Sequence, residues 1–201
     1  MHIVAITGAS GAIYGIRLIE VLLEQQEKTG VIISEAGWST IEYELYSSKK
    51  SFSSIKELLR ERNKHVHIEL LSEFKNNDFF TLPASGTSEF QSITVIPCSM
   101  KTLSAIAHSY SESLITRACD VALKEKRLCI IVPRESPLHN THLKNMLEVS
   151  QNGGIIVPPV PAMYQYPETV EDIINTTVGK ICNLLHIEHS LFTPWQGENS
   201  N

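Results

Sequence analysis

The segment SITVIPCSMKTLSAIAHSYSESLITRACDVALKEKRLCIIVPRESPLH, residues 92–139, decides the fold of this 201-residue chain. It opens with the apolar run ITVI at 93–96 and closes with LCIIV at 128–132. Each run has the length of a strand buried on both faces, and the residues between them have a helical pattern. The segment therefore predicts a βαβ unit with two parallel strands and a right-handed crossover.

Loops that carry reactive and polar side chains follow both of these strands. The first loop reads PCSMKT at 97–102, and the second reads PRESP at 133–137. In an open parallel sheet, ligands bind outside the carboxyl ends of the strands. We therefore expect the two loops to share one crevice, and we predict that this crevice is the active site.

The same alternation of strand and helix continues outward along the chain. Strands are predicted at 2–7, 30–34 and 153–157, with an edge strand at 68–71. The last helix is predicted to begin at Thr169, with Asp172 three residues on as its capping-box partner, and its buried stripe starts at Val170. This order is typical of a single doubly wound α/β domain, Rossmann- or flavodoxin-like, with a mostly parallel sheet and helices on both faces. We expect this domain to span residues 1–187, followed by a tail at 188–201 whose Trp195 docks over a site or on a neighbouring subunit.

Composition and charge exclude several classes of protein. The net charge of −5 argues against a nucleic-acid partner, and no apolar run reaches the length of a membrane span. The chain enters its first strand directly, so we expect no signal peptide. Four cysteines without a C-x-x-C pair predict free thiols in a reducing cytoplasm. The histidine pairs 139/142 and 186/189 lack a completing ligand, so we expect no metal site.

Three features suggest anion binding, and each has a plainer alternative. The turn GASG at 8–11, between a strand and a helix, could present its backbone amides to a phosphate, with Ser10 at its tip. The alternative is a tight turn without a ligand. Ser99 and Thr102 stand where a helix begins, so we expect their hydroxyls to face the crevice. The alternative is that Ser99 is only an N-cap. Arg117 and Lys124 lie two turns apart on one helix face. Two cations placed in this way bind a phosphate, or they belong to an ordinary solvated face.

Six segments together resemble the UbiX family of flavin prenyltransferases, within the homo-oligomeric flavin-containing cysteine decarboxylase superfamily. They occur in the family's order: GASGAIYGIRLIE (8–20), PASGT (83–87), PCSMKTLSAIA (97–107), TRACDVALKEKR (116–127), PRESPLHNTHLKNML (133–147) and PPVPAMYQYP (158–167). The resemblance implies a metal-independent transferase that joins the dimethylallyl group of dimethylallyl monophosphate to N5 and C6 of reduced FMN. It also implies a dodecamer with the flavin between subunits, and a UbiD-type decarboxylase as recipient of the prenylated FMN, in ubiquinone biosynthesis or aromatic-acid metabolism.

The resemblance also assigns residues to roles. The FMN contacts are expected at Gly8, Ala9, Ser10, Ser34, Ser99, Met100, Lys101, Thr102 and Arg134. The catalytic set is expected to be Ser10, Glu44, Lys124 and Glu135, with Glu135 transferring a proton. The prenyl phosphate and its lid are expected at Arg117, Lys124, Tyr164, Lys180 and Trp195. Proton transfer favours a carboxyl group that is shielded from water, although a salt bridge from Glu135 to Arg134 or Lys124 is the alternative.

Two departures from the family pattern stand out. Lys180 replaces the usual arginine, which keeps the charge but loses the bidentate fork, so the grip on phosphate weakens. His108 and Ser109 replace a small residue followed by glycine, and we expect this change to be structural.

Two other functions are alternatives to the transferase. A flavin-dependent decarboxylase of the same superfamily carries a histidine after the first glycine turn and an asparagine in a PASANT-like loop. This chain has neither, because the turn continues as Gly11-Ala12-Ile13-Tyr14 and the loop reads PASGT. A flavin-binding carrier or decarboxylase-associated subunit without turnover stays open, since Lys180 weakens the phosphate site.

Overall fold

One parallel sheet of six strands forms the centre of the protein. The computed structural model describes residues 1–62, 65–193 and 195. The strand order is β3-β2-β1-β4-β5-β6, and all five pairings are parallel. The strands are β1 (His2–Ile6), β2 (Thr29–Ile33), β3 (Leu71–Lys75), β4 (Ser92–Cys98), β5 (Leu128–Pro133) and β6 (Ile155–Ile156). The order reverses between β1 and β4, which creates the crevice where doubly wound sheets bind ligands.

Within the described residues, seven helices cover both faces of the sheet, as the sequence predicted. They are α1 (Ala12–Glu24), α2 (Glu35–Tyr46), α3 (Ile55–Glu61), α4 (Met100–Ala107), α5 (Leu114–Lys124), α6 (Asn140–Gln151) and α7 (Val170–Leu185). Side chains of α1, α2, α3 and α7 form one apolar cluster, and those of α4, α5 and α6 form a second cluster. Because every residue of β1, β2 and β4 is buried, these strands are mostly apolar and do not alternate between apolar and polar residues.

Helix α1 makes a close backbone contact with β4 and a buried ion pair with the end of α3. Gly15 of α1 faces the carbonyl of Ile96 so closely that any side chain at this position would clash with β4. The buried carboxylate of Glu20 on the same helix pairs with Arg17 at 3.3 Å and with Arg62 at 2.6 Å. These two cations satisfy the charge of Glu20 and tie the end of α3 to α1.

The predicted capping box at α7 is confirmed. The Thr169 hydroxyl accepts the backbone N–H of Asp172 at 3.1 Å, while the Asp172 carboxylate accepts the backbone N–H of Thr169 at 2.8 Å. These hydrogen bonds from Thr169 lower the pKa of Asp172 below its ordinary value.

Three sequence predictions need correction. The edge strand runs from Leu71 to Lys75 instead of 68–71, because Ile68–Leu70 form a 3-10 turn. The strand predicted at 153–157 contains only Ile155 and Ile156, which are half-buried because β6 is the sheet edge and pairs with β5 alone. Val170 is 73% exposed, since it is the first residue of α7, and the buried stripe starts at Ile174.

No helix within the described ranges, 1–62 and 65–193, is long and apolar enough to cross a membrane.

Candidate active site

Three loops meet at the carboxyl ends of β1, β4 and β5, among them the two for which the sequence predicted a shared crevice. The Arg134 guanidinium donates through Nε to the carbonyl of Ser10 at 3.2 Å, and the Arg134 backbone N–H donates to the carbonyl of Cys98 at 3.2 Å. The glycine-rich turn, the PCSMKT segment and the Arg134-Glu135 pair therefore share one rim.

A cavity of about 820 Å³ opens beside this rim. It lies among the carboxyl ends of β1, β2 and β3 and the beginnings of α2, α4 and α5. Five of the predicted cofactor residues line it: Gly8, Ser34, Ser99, Lys101 and Thr102. Its volume falls within the range of sites for small molecules and cofactors, roughly 300–1,000 Å³.

Three helices begin at this cavity, each with a serine at its N-cap. Ser34 accepts the backbone N–H of Gly37 at 3.0 Å, Ser99 accepts that of Thr102 at 3.3 Å, and Ser113 accepts that of Thr116 at 3.3 Å. All three serines line the cavity. The positive ends of three helix dipoles thus point at one space, which favours an anionic ligand. Ser99 is both an N-cap and a cavity residue, so the two interpretations of this serine hold together.

Sequence reasoning missed several lining residues. Trp38, Asn76, Asn77, Glu112 and Thr116 all contribute to the wall. The asparagines come directly after β3, so a correctly placed edge strand would have put them at the carboxyl edge of the sheet. Thr116 belongs to the capping box Ser113-x-x-Thr116, a readable helix start.

Lys101 and Glu112 stand together in the wall of the cavity. The Lys101 Nζ atom lies 3.2 Å from a carboxylate oxygen of Glu112. Lys101 is exposed, so its ammonium remains available to a ligand phosphate. Glu35, the first residue of α2, also lines the cavity, as do Glu73 and Lys75.

Glu44 lies outside the cavity and binds the glycine-rich turn. Its carboxylate accepts the backbone N–H groups of Gly11, at 2.9 Å, and of Ala12, at 3.0 Å. The N-terminus of α1, where the sequence predicted a phosphate, is therefore occupied by a side chain of the protein. Ser10 is exposed and Ala9 is buried beneath it.

Glu135 is exposed in the single chain, contrary to the expectation that it is shielded from water. It lies on the loop that follows β5. Its carboxylate accepts the backbone N–H of Ser136 at 3.0 Å. Across residues 1–62 and 65–193 it forms no ion pair with Arg134 or Lys124, so the salt-bridge alternative is not observed.

One arginine on α5 and one just after it hold the PASGT loop. Arg117 donates through Nε to the carbonyl of Ala84 at 3.1 Å and pairs with Asp120 at 3.0 Å. Arg127 donates to the carbonyl of Gly86 at 2.6 Å. Lys124 pairs with Glu125, and the hydrogen bond from Lys124 lowers the pKa of Glu125.

The predicted phosphate residues do not come together within one chain. Arg117 and Lys124 lie on α5, whereas Lys180 lies on α7, which packs on the opposite face of the sheet. Tyr164 and Trp195 are 64% and 73% exposed. A single chain therefore presents the predicted phosphate residues on two separate surfaces.

The four cysteines are free and buried. Burial raises the pKa of the Cys98 thiol and raises that of Cys182 to about 12, while the neighbouring Cys129 thiol and burial raise the pKa of Cys119. These three thiols are therefore protonated at neutral pH and do not act as nucleophiles. The residues that the structure describes contain no cluster of three or more metal-binding side chains.

Comparison with known proteins gives a consistent result. The Flavoprotein family matches residues 2–182. Flavin prenyltransferase UbiX of Methanocaldococcus jannaschii is 47% identical over 193 residues, which cover 96% of this chain and 97% of that protein. The crystal structure of AnUbiX in complex with FMN and dimethylallyl pyrophosphate has a TM-score of 0.85 and 35% identity, covering 98% and 97% of the two chains. A dodecameric FMN-dependent UbiX-like decarboxylase from Escherichia coli O157:H7 has a TM-score of 0.84 and 36% identity, covering 98% and 100%.

Proposed function

We propose that this chain, which belongs to the Flavoprotein family and within it to the flavin prenyltransferases, joins the dimethylallyl group of dimethylallyl monophosphate to N5 and C6 of reduced FMN. The observation that carries the proposal is the convergence of three serine-capped helix N-termini on one cavity at the carboxyl edge of the sheet. Such a cavity combines the volume needed for a flavin with amides and hydroxyls for its phosphate.

The residues assigned to FMN fit this cavity and its rim. Ser34, Ser99, Lys101 and Thr102 supply hydroxyls and one ammonium in the wall, and Gly8 leaves room beside them. Arg134 holds the turn at Ser10 through its carbonyl, while Ala9 and Met100 complete the assigned set. Reduced FMN, when bound, supplies the electron-rich N5 and C6 atoms that the prenyl group joins.

We assign the prenyl phosphate to a site shared between subunits. Arg117 and Lys124 on α5 of one subunit and Tyr164, Lys180 and Trp195 of another supply its contacts, because one chain holds the two groups on opposite faces of the sheet. Cations that neutralise the phosphate make it a better leaving group. A homo-oligomer is therefore required for activity, and the dodecameric relative supports a dodecamer here.

Glu135 is assigned to the proton transfer that completes the new ring, and Lys124 to charge neutralisation at the phosphate. A neighbouring subunit covers Glu135 in the assembly and shields it from water, which proton transfer requires. Ser10 presents its hydroxyl at the turn. Glu44 is engaged with two backbone amides, so we assign its contribution to the shape of that turn.

The flavin-binding domain spans residues 1–187, and the tail at 188–201 docks over a site. Leu191 packs on the cluster around α1 and α7, and the rings of His189 and Phe192 lie 5.1 Å apart beside Gly179. This anchor on α7 supports a position for Trp195 over the shared site. The parts of the predicted tail at 194 and 196–201 lie outside the described residues.

The enzyme works in the cytoplasm, where buried thiols stay reduced, and passes prenylated FMN to a UbiD-type decarboxylase, with ubiquinone biosynthesis as one destination. The presence of free cysteines at positions 98, 119, 129 and 182 supports this compartment.

Anaerobic incubation of the purified protein with reduced FMN and dimethylallyl monophosphate tests the proposal. Mass spectrometry should show a flavin that is larger by one C5 prenyl unit, and a parallel reaction with the diphosphate identifies the donor. Bound but unchanged flavin with both donors would leave only the carrier function. Glu135→Gln should bind FMN like the wild type and fail to complete the adduct, and normal product formation by this variant would remove Glu135 from its role.

A further inference from the structure

Thr7 lies just beyond the last regular residue pair between β1 and β4. The regular ladder between these strands ends at Ala5 and Val95, and the pairing of β4 with β5 is irregular between Val95 and Cys98. Pro97 lies inside this irregular segment and has no N–H group to donate. The regular backbone ladder therefore gives way to isolated hydrogen bonds at the end of β4, and a side chain that adds to them can fix the loop that follows.

The Thr7 hydroxyl bridges the gap with two hydrogen bonds. It donates to the carbonyl of Pro97 at 2.8 Å and accepts the backbone N–H of Ser99 at 2.8 Å. The Thr7 backbone N–H donates to the same carbonyl at 3.2 Å. Thr7 is 2% exposed and lines the cavity, so little water competes for these bonds.

Ser99 is the residue that this bridge fixes. It is the N-cap of α4, and its hydroxyl lies 3.1 Å from that of Thr102. Both hydroxyls and the first turn of α4 belong to the cavity wall. A shift of Ser99 therefore moves the end of a helix dipole and two hydroxyl groups relative to the ligand.

We propose that Thr7 is a positioning residue for the flavin site, whose hydroxyl fixes Ser99 and the start of α4 so that the cavity binds the flavin phosphate ester. This inference rests on the proposed function. Its chemistry is specific to a hydroxyl, because valine has the same shape as threonine but neither donates nor accepts. Serine keeps both hydrogen bonds and loses only a methyl group.

The chain offers a matched control in Thr94. This residue lies on β4, is 1% exposed, and has a buried hydroxyl without a hydrogen-bond partner among the described residues. Thr94→Val therefore makes the same chemical change in the same sheet without breaking a hydrogen bond. It should not affect the cavity.

The test measures the FMN dissociation constant by quenching of flavin fluorescence for wild type, Thr7→Val, Thr7→Ser and Thr94→Val, with thermal unfolding of each ligand-free protein. Thr7→Val should weaken FMN binding by roughly tenfold, because the Ser99 amide loses its acceptor, while the other two variants stay within about twofold of wild type. In turnover, Thr7→Val should raise KM for FMN and leave kcat at saturation close to wild type.

Four results overturn the inference. Wild-type affinity in Thr7→Val means that the bridge does not position the site, and equal loss in Thr7→Ser assigns the effect to the methyl group. Unfolding of Thr7→Val while Thr7→Ser behaves normally assigns the hydroxyl to the fold alone. Failure of wild type and Thr94→Val to bind FMN removes the proposed function and this inference together, which distinguishes it from a failure of Thr7 alone.

Discussion

Replacement of Glu44 tests whether its carboxylate shapes the glycine-rich turn. One oxygen, Oε2, accepts both the Gly11 and the Ala12 amide, at 2.9 and 3.0 Å, and the other accepts the Gly11 amide at 3.1 Å. Glu44 thus caps the N-terminus of α1 from a neighbouring helix. Gly11, the N-cap residue, has φ of 97° and no side chain of its own to supply this cap.

The magnitude follows from capping and from the helix dipole. Loss of a side-chain cap costs about 1 kcal/mol, and loss of a carboxylate at a helix N-terminus costs about 0.5 kcal/mol, so Glu44→Ala should lower the free energy of unfolding by about 1.5 kcal/mol. Glu44→Gln keeps one oxygen that can accept both amides and loses only the charge. We expect it to cost about 0.5 kcal/mol.

Urea denaturation of the ligand-free protein measures both variants. Glu168→Ala is the control, because Glu168 is exposed and its carboxylate accepts no hydrogen bond within the described part of the chain. The reasoning is refuted if Glu44→Ala matches wild type, or if the glutamine and alanine variants lose the same stability. Retention of FMN binding and turnover in Glu44→Gln would further separate a role in shaping the turn from a role in proton transfer.

Three other perturbations test separate parts of the structure. Ser109 has φ of 51° just after the end of α4, where the His108 side chain bonds to the Ser104 carbonyl at 2.8 Å. Because glycine adopts a positive φ without strain, Ser109→Gly should raise the free energy of unfolding by about 1 kcal/mol in the same denaturation assay. Ser109→Ala should give no gain. Co-expression of Arg117→Ala and Lys180→Ala subunits, each inactive alone, should restore about a quarter of wild-type turnover if the site is shared between subunits, and none if one chain supplies both residues. Burial lowers the pKa of His2, so the folded state favours its neutral form and the stability of the protein should fall as the pH drops below 6.5. Thermal unfolding of His2→Gln should show a smaller loss of stability between pH 7 and pH 5 than that of wild type. An equal loss in the two proteins would exclude His2 as the cause.

The rim of the site was predictable because it depends on local sequence patterns. Continuous apolar runs identify β1, β4 and β5, and in a parallel sheet their carboxyl ends must share one edge. The loops that follow these strands carry Ser10, Ser99 and Arg134, and the structure brings them together. The capping box at Thr169 was predictable for the same reason, since it spans only four residues.

The misplaced edge strand shows where local patterns fail. Ile68 and Leu70 pack on the core from a 3-10 turn, and their apolar character imitates a strand. The true strand, LSEFK at 71–75, is only half-buried because it pairs on one side. Because the edge strand was predicted too early in the chain, Asn76 and Asn77, which line the cavity, were not expected at its carboxyl end.

Other contacts leave no trace in a single sequence. Glu44 reaches backbone amides 33 residues away, and amides carry no residue-specific signal. The exposure of Glu135 and the separation of Arg117 from Lys180 concern surfaces that, under the proposed function, a neighbouring subunit completes. The family resemblance assigned these residues, but no periodicity or spacing within the chain indicates that they meet across subunits.

A crystal structure of the protein with FMN tests the flavin site most directly. The phosphate should lie at the serine-capped starts of α2, α4 and α5, within hydrogen-bond distance of Ser34, Ser99 or Thr102, and the ring system should reach the rim at Ser10 and Arg134. A flavin bound outside the 820 Å³ cavity, or a phosphate that displaces Glu44 from the start of α1, would contradict the assignment.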